Sequence, residues 1–331
     1  MNDELFGSLT IKYRLKANQA VILSCTGTSG YIKLPDLIED IPVTEVGPYS
    51  FSSPEALSGK KSYKEEDIKE YHYQGLDVPF TTMEVLYGKK IKEIFLPAEI
   101  TRIDEYAFYN CTELETIHLG NGNIDFGNGA FMNCDNLKNL HFRTLPEADT
   151  GLFGFLRELQ GELKVSFEKD GKRAEFIFPE YYEESVENTP ARVFHYLIHG
   201  AGYRYRQCLK AGILEIPEYD ALFSAPEIQT EEDTALSIAL CRLRYPYGLS
   251  GANRLKYISY LKNHGKKTIK RYILDNDAKG LITLKAEGIL TIDLMDYAIK
   301  RAIKYKQPEC MGVLLSLQED ISKNKHDRFE L

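Results

Sequence analysis

Seven histidines and six cysteines are the side chains of this 331-residue chain best suited to chemistry, and their spacing limits what each could do. His195-Tyr196-Leu197-Ile198-His199 is an H-x-x-x-H segment. On a helix its imidazoles would share a face, but Tyr196 stands where a zinc hydrolase needs its glutamate base. His118 and His141 recur at equivalent places in two neighbouring segments. They suit three roles: tolerated polar positions, part of a partner-binding face, or two ligands of a metal awaiting a third. No carboxylate or third histidine follows at the next equivalent position, which speaks against the metal. Cys25, Cys111, Cys134, Cys208, Cys241 and Cys310 form no C-x-x-C pair and no disulfide framework. Gly200-Ala201-Gly202-Tyr203-Arg204 lacks the G-K-[ST] of a phosphate loop, and there is no G-x-S-x-G. The sequence therefore predicts no catalytic residue, no metal and no cofactor.

The histidines belong to a repeat. Ile91-x-x-Ile94-x-Leu96, Leu114-x-x-Ile117-x-Leu119 and Leu137-x-x-Leu140-x-Phe142 each start 23 residues after the one before. Ala107-Phe108-Tyr109-Asn110-Cys111 returns at the same period as Ala130-Phe131-Met132-Asn133-Cys134. A period in the twenties headed by L-x-x-L-x-L predicts a leucine-rich repeat solenoid. In a stacked strand, residues i and i+2 share a face. Ile94, Leu96, Ile117, Leu119, Leu140 and Phe142 are thus expected inside, with Phe108, Phe131, Cys111 and Cys134 filling the opposite wall. Phe95, His118 and His141 point outward, flanked by Glu93, Thr116 and Asn139, and form the expected partner-binding surface.

Aligning Phe51 with Phe108 places Val43 on Ile100, Thr44 on Thr101 and Val46 on Ile103, so residues 32–53 read as a degenerate first coil. Leu34-Pro35, Pro42-Val43-Thr44-Glu45-Val46-Gly47, Leu96-Pro97, Ile100-Thr101-Arg102-Ile103, Ala107-Phe108 and Cys111-x-x-Leu114 resemble the BspA-type leucine-rich repeat family. That resemblance covers roughly the first 145 residues and implies adhesion or protein recognition rather than catalysis. Residues 54–90 interrupt it. They suit a surface insertion with a short helix, a loop reaching over the concave face, or a badly degenerate coil. After Phe142 one further period lands on Leu163 and Val165, and Asp170-Gly171 marks a hairpin closing the stack at 162–178. Gly151–Gln160 reads as a short helix over that edge.

From residue 179 the composition turns helical. Thr189-Pro190 predicts a helix carrying Val193, Phe194, Leu197 and Ile198, and Thr230-Glu231-Glu232-Asp233 a capping box. Helices follow at Asn253–Asn263, Lys266–Asp275, Ala278–Ala286, Thr291–Tyr305 and Pro308–Gln318, spaced as stacked α-hairpins loosely similar to ankyrin-type pairs. Thirteen Lys and Arg stand against five Asp and Glu between Arg254 and Lys306, in a chain of net charge −8. Lys266, Lys267, Lys270 and Arg271 are the candidate contacts for an anionic partner, either a nucleic acid or an acidic polymer.

No stretch approaches the ~20 apolar residues of a membrane span. The N-terminus has no signal-peptide pattern, so a cytoplasmic location is expected unless an upstream segment was removed. The expectation is an α+β protein. A short β-rich solenoid at 1–178 precedes an α-helical domain at 179–331, and the chain is expected to act as a non-catalytic module that binds a protein partner through the solenoid face and the insertion loop.

Overall fold

The computed structural model describes residues 6–53, 65–73, 83–188 and 193–326. It forms two compact units, Met1–Leu222 and Phe223–Leu331, and the acidic stretch after Phe178 lies within the first. The first unit opens with strands β1 (Leu9–Lys16) and β2 (Gln19–Gly27), then β3 (Tyr31–Lys33), β4 (Leu37–Ile38) and β5 (Ile41–Val46). Next come β6 (Lys69–Tyr73), β7 (Glu84–Leu86), β8 (Glu93–Phe95), β9 (Arg102–Ile103), β10 (Thr116–Leu119), β11 (Asp125–Phe126) and β12 (Asn139–Phe142). Helix α1 (Leu152–Glu158) separates these from β13 (Leu163–Lys169) and β14 (Lys172–Phe178).

Two sheets make the solenoid walls. One has the order β14-β13-β12-β10-β8-β3, and the other runs β11-β9-β5-β2-β1-β6 with β4 on β5 and β7 on β2. Within the first, β8, β10 and β12 are parallel and in the repeat register, so Ile94, Ile117 and Leu140 stack. All three side chains are fully buried. A single coil could not bury that face, so each depends on its neighbours.

The opposite wall is an aromatic ladder. Phe51, Phe108 and Phe131 stack with ring centroids 5.1 and 5.3 Å apart. Phe51 on Phe108 confirms the degenerate first coil, as do the parallel pairs Glu45–Arg102 and Val46–Ile103. Cys111 and Cys134 donate their thiols to the carbonyls of Phe51 and Phe108 at 3.3 and 3.1 Å. They act as small buried hydrophobes whose one polar atom is satisfied.

Backbone N–H groups at each corner donate to the next coil. Tyr49 and Phe51 donate to Glu105 and Ala107, and Tyr106 and Phe108 to Asn128 and Ala130. Asn110 and Asn133 both take φ of +62° at these corners. Asparagine tolerates the left-handed region better than other non-glycine residues, which explains its return in both copies.

Several expectations need correction. The expected one-period step to Leu163 and Val165 is off by two residues: Leu140 pairs with Val165 and Phe142 with Phe167. Helix α1 occupies the intervening connection and lengthens it; a shift of two preserves the inward face, which a shift of one would not. The insertion holds, in its described part, a short helical turn at Glu65–Asp67, as expected, and also two unexpected strands, β6 pairing with β1 and β7 with β2. Its remaining residues, 54–64 and 74–82, lie outside the described set.

The third correction is larger. The helix expected from Thr189-Pro190 is a strand hairpin, β15 (Tyr182–Asn188) with β16 (Val193–His199), and residues 189–192 lie outside the described set. Val193, Phe194, Tyr196 and Ile198 are aromatic or β-branched, and strand preference outweighs the weak helical start. After the hairpin come α2 (Gly202–Arg206), the short pair β17 (Leu209–Lys210) and β18 (Ile213–Leu214), and α3 (Ile216–Ala221).

The second unit is helical: α4 (Pro226–Thr230), α5 (Glu232–Arg244), α6 (Gly251–Asn263), α7 (Gly265–Leu274), α8 (Ala278–Ala286), α9 (Ile292–Lys304) and α10 (Pro308–His326). Ser250 caps α6 through the N–H of Asn253, and Asp277 caps α8 through Gly280. The capping box at Thr230 does not form. Pro226 nucleates α4 first, and Thr230 ends it with its hydroxyl on the Glu227 carbonyl. Helix α7 packs on α8 and α9, and α10 on α8 and α9, so two α-hairpins stack. Their first helices end 30 residues apart, at Leu274 and Lys304, and each is followed by a left-handed residue, Asn276 or Lys306.

Candidate interaction face

Strand register turns the six predicted contact residues into a grid. Glu93, Thr116 and Asn139 form one row across β8, β10 and β12, and Phe95, His118 and His141 the other. Both rows lie on the outer side of the sheet, because Ile94, Ile117 and Leu140 between them are buried. All six are half-buried.

The ring row is a continuous stack. Phe95 and His118 lie 3.6 Å apart at 5°, and His118 and His141 lie 4.6 Å apart at 21°. Phe6 closes the Phe95 end edge-on at 5.2 Å, with the Lys33 ammonium 5.7 Å from its ring. At the other end His141 bonds to the Ser166 hydroxyl, and Ser166 pairs with Glu175 on β14. Both are buried, and Arg173 pairs with the Glu175 carboxylate. Phe6, Lys33, Ser166 and Glu175 therefore belong to the row that sequence reasoning confined to three residues. Lys33 was legible, because it follows Ile32 in the degenerate coil. Phe6 carries no pattern.

Burial decides the electrostatics. His118 is held down to a pKa of about 4 by burial and then by the Arg143 charge. His141 is also held at about 4, by burial first and then by His118 and Lys164. The His118 Nε2–Glu93 Oε1 contact at 2.7 Å has ion-pair geometry, but desolvation outweighs it. Burial also pushes the Glu93 carboxyl above its usual range. With the imidazole neutral at neutral pH, the contact is a hydrogen bond and not an ion pair. Arg143 spends its donors on the carbonyls of Leu96 and Leu119, at 2.8 and 3.4 Å. The second row is polar and uncharged past Glu93, with the Asn139 amide donating to Thr116 Oγ1 at 3.3 Å.

This surface offers few reactive possibilities. Face-to-face imidazoles aim their nitrogens in parallel planes rather than at one point. Among the described residues no three His, Cys, Asp or Glu side chains group to hold a metal. His195 and His199 lie on one face of β16, four residues and so about 13 Å apart along the strand. His199 instead stacks on Tyr182 and bonds Glu184 at 3.0 Å. The described cysteine thiols are all buried, and burial pushes that of Cys208 up to about 12. None is poised as a nucleophile.

The alternative basic cluster does come together on α7, but two of its four charges are paired with carboxylates. Lys267 pairs with Glu232, Arg271 with Asp275 at 3.4 Å, and Lys266 sits 5.9 Å from the Tyr297 ring. Lys262, His264, Lys266 and Lys267 border a cavity of about 500 Å³, which Glu232 also lines.

Residues 82–160, which contain the whole grid, match the family model described as the BspA type leucine rich repeat region (6 copies). This segment is a BspA-type leucine-rich repeat array. No curated protein and no solved structure matches the chain. Leucine-rich repeat arrays generally serve as scaffolds for protein interaction and not as enzymes. No helix among the described residues is long and apolar enough to cross a membrane.

Proposed function

We propose that this protein is a non-catalytic protein-interaction module whose contact surface is the outer face of β8, β10 and β12. The observation that supports it most is the in-register grid itself. A prestacked Phe95–His118–His141 row lies beside a polar row of Glu93, Thr116 and Asn139. Rings already fixed by stacking lose little conformational entropy on binding, and the polar row supplies directional hydrogen bonds. The described strands of the insertion, β6 and β7, pair with β1 and β2 in the other sheet.

The rival reading is an anionic polymer on the basic helices, supported by the charge excess between Arg254 and Lys306. The carboxylate partners of Lys267 and Arg271 weigh against it. One experiment separates the two: capture from cell extract at two salt concentrations. The baits are the wild type, a variant with Thr116→Arg and Asn139→Arg, and one with Lys266, Lys270 and Arg271 changed to Glu. A protein lost only by the grid variant and retained at high salt supports the interaction face. Binding that collapses with salt and is lost only by the helix variant overturns it.

A further inference from the structure

The β15–β16 hairpin stands apart from the repeat array. Among the described residues its strands pair only with each other. Both faces are open: Tyr182 is 53% exposed, Tyr196 75%, and Leu197 and Ile198 46% each. A lone two-stranded hairpin is marginally stable in water, and an unpaired edge is a template for another strand.

The two edges differ in charge. β15 carries Glu183, Glu184 and Glu187, while Val193–His199 contains no Lys, Arg, Asp, Glu or Pro. Carboxylates guard the β15 edge against any acidic strand and would draw a basic one to that side. The β16 edge has none of the devices that block pairing, and it fits an uncharged, apolar strand. We propose that its occupant is β16 of a second copy of this chain. The two strands run antiparallel about a two-fold axis at Tyr196 and complete a four-stranded sheet.

In that register Tyr196 meets its own counterpart and His195 meets Leu197, so no like charges face each other across the seam. Aromatic and aliphatic cross-strand pairs of this kind are favourable. Charge favours the arrangement too. With the β16 strands inside, the acidic β15 strands are three strand spacings apart, about 14 Å. That exceeds the ~8 Å Debye length at physiological salt, so repulsion between the Glu183, Glu184 and Glu187 carboxylates of the two copies is largely screened. A seam of seven residues per strand is small, so association should depend on concentration.

Sedimentation of the full chain over roughly 1–100 μM should show a reversible dimer. Tyr196→Lys should be monomeric over the same range with an unchanged circular dichroism spectrum, and so should Tyr196→Glu. Mixing those two should restore dimers, which a folding defect could not do. Since the six native cysteines are buried, Tyr196→Cys introduces an accessible thiol. With oxidised glutathione as electron acceptor it should cross-link, whereas Glu184→Cys on β15 should not. A monomeric wild type overturns the proposal and returns the edge to a strand of some other protein. A dimer that survives both charge variants, or cross-linking equal at both positions, overturns it as well.

Discussion

Glu158 stands to Phe131 as Ala130 stands to Phe108. In the interior coils the N–H of Phe108 donates to the carbonyl of Ala130. At the last coil no further corner exists, and the Glu158 carboxylate takes the N–H groups of Phe131 and Gly129 at 2.9 Å each. One side chain from α1 thus replaces an absent coil, satisfying donors that would otherwise end the ladder unpaired.

Glu158→Ala should therefore destabilise the array by about 2–4 kcal/mol, because two hydrogen bonds to an ionised acceptor are lost together. Glu158→Gln keeps one carbonyl oxygen and should lose about half as much. Urea unfolding followed by tyrosine fluorescence measures both. An alanine variant as stable as the wild type would mean the end of the solenoid is closed otherwise.

The histidine row should make stability acid-sensitive. Both imidazoles sit near pKa 4 in the folded chain, against about 6.5 unfolded. The unfolded state then binds more protons below pH 6.5, so the contribution is whole above that value and is lost as pH falls towards 4. Each histidine accounts for on the order of 2–3 kcal/mol across that window. Replacing both with Gln should flatten the decline in urea midpoint between pH 7 and 5. An equally steep decline would place the titrating groups elsewhere.

The described cysteines make a simpler test. All six are buried, and desolvation raises the pKa of the Cys25, Cys111, Cys208 and Cys310 thiols. The native chain should label with none of its thiols until urea unfolds it. Rapid labelling of any thiol in buffer would contradict this packing.

Much of this architecture is legible in the sequence because stacking imposes a period. Ile94, Ile117 and Leu140 must be apolar at one spacing, and Cys111 with Cys134 must be small and weakly donating at the same spacing. The outward row inherits that register without being constrained by it, so its positions can be named while its burial cannot. Phe6, Ser166 and Glu175 join the row through the fold alone. The hairpin at β15–β16 was missed for the opposite reason. Thr189-Pro190 is a local signal, whereas strand pairing with Tyr182–Asn188 depends on residues before it, and the i, i+4 histidines satisfy both periods.

Arg206 is the residue whose role no pattern announces. It is 4% exposed, and its guanidinium donates to the carbonyls of Leu159, Gly161, Pro179 and Gly202. Burial holds its pKa down to about 10, with Tyr181 stacked 4.8 Å away. It fastens the chain after α1 to the end of β14 and to α2. A lysine cannot reproduce that planar fork, so Arg206→Lys should cost on the order of 2–4 kcal/mol in thermal or urea unfolding. A neutral outcome would show that the carbonyls find other donors.

The proposed interaction face is tested most directly by placing a photo-cross-linking amino acid at Asn139, with Met132 as the control. Met132 is exposed at a coil corner, 51% accessible, and lies off the grid. Irradiation in cell extract should give a discrete protein adduct from position 139 and none from 132. Adducts from 132 alone, or from both positions equally, would contradict the assignment of this face as the binding surface.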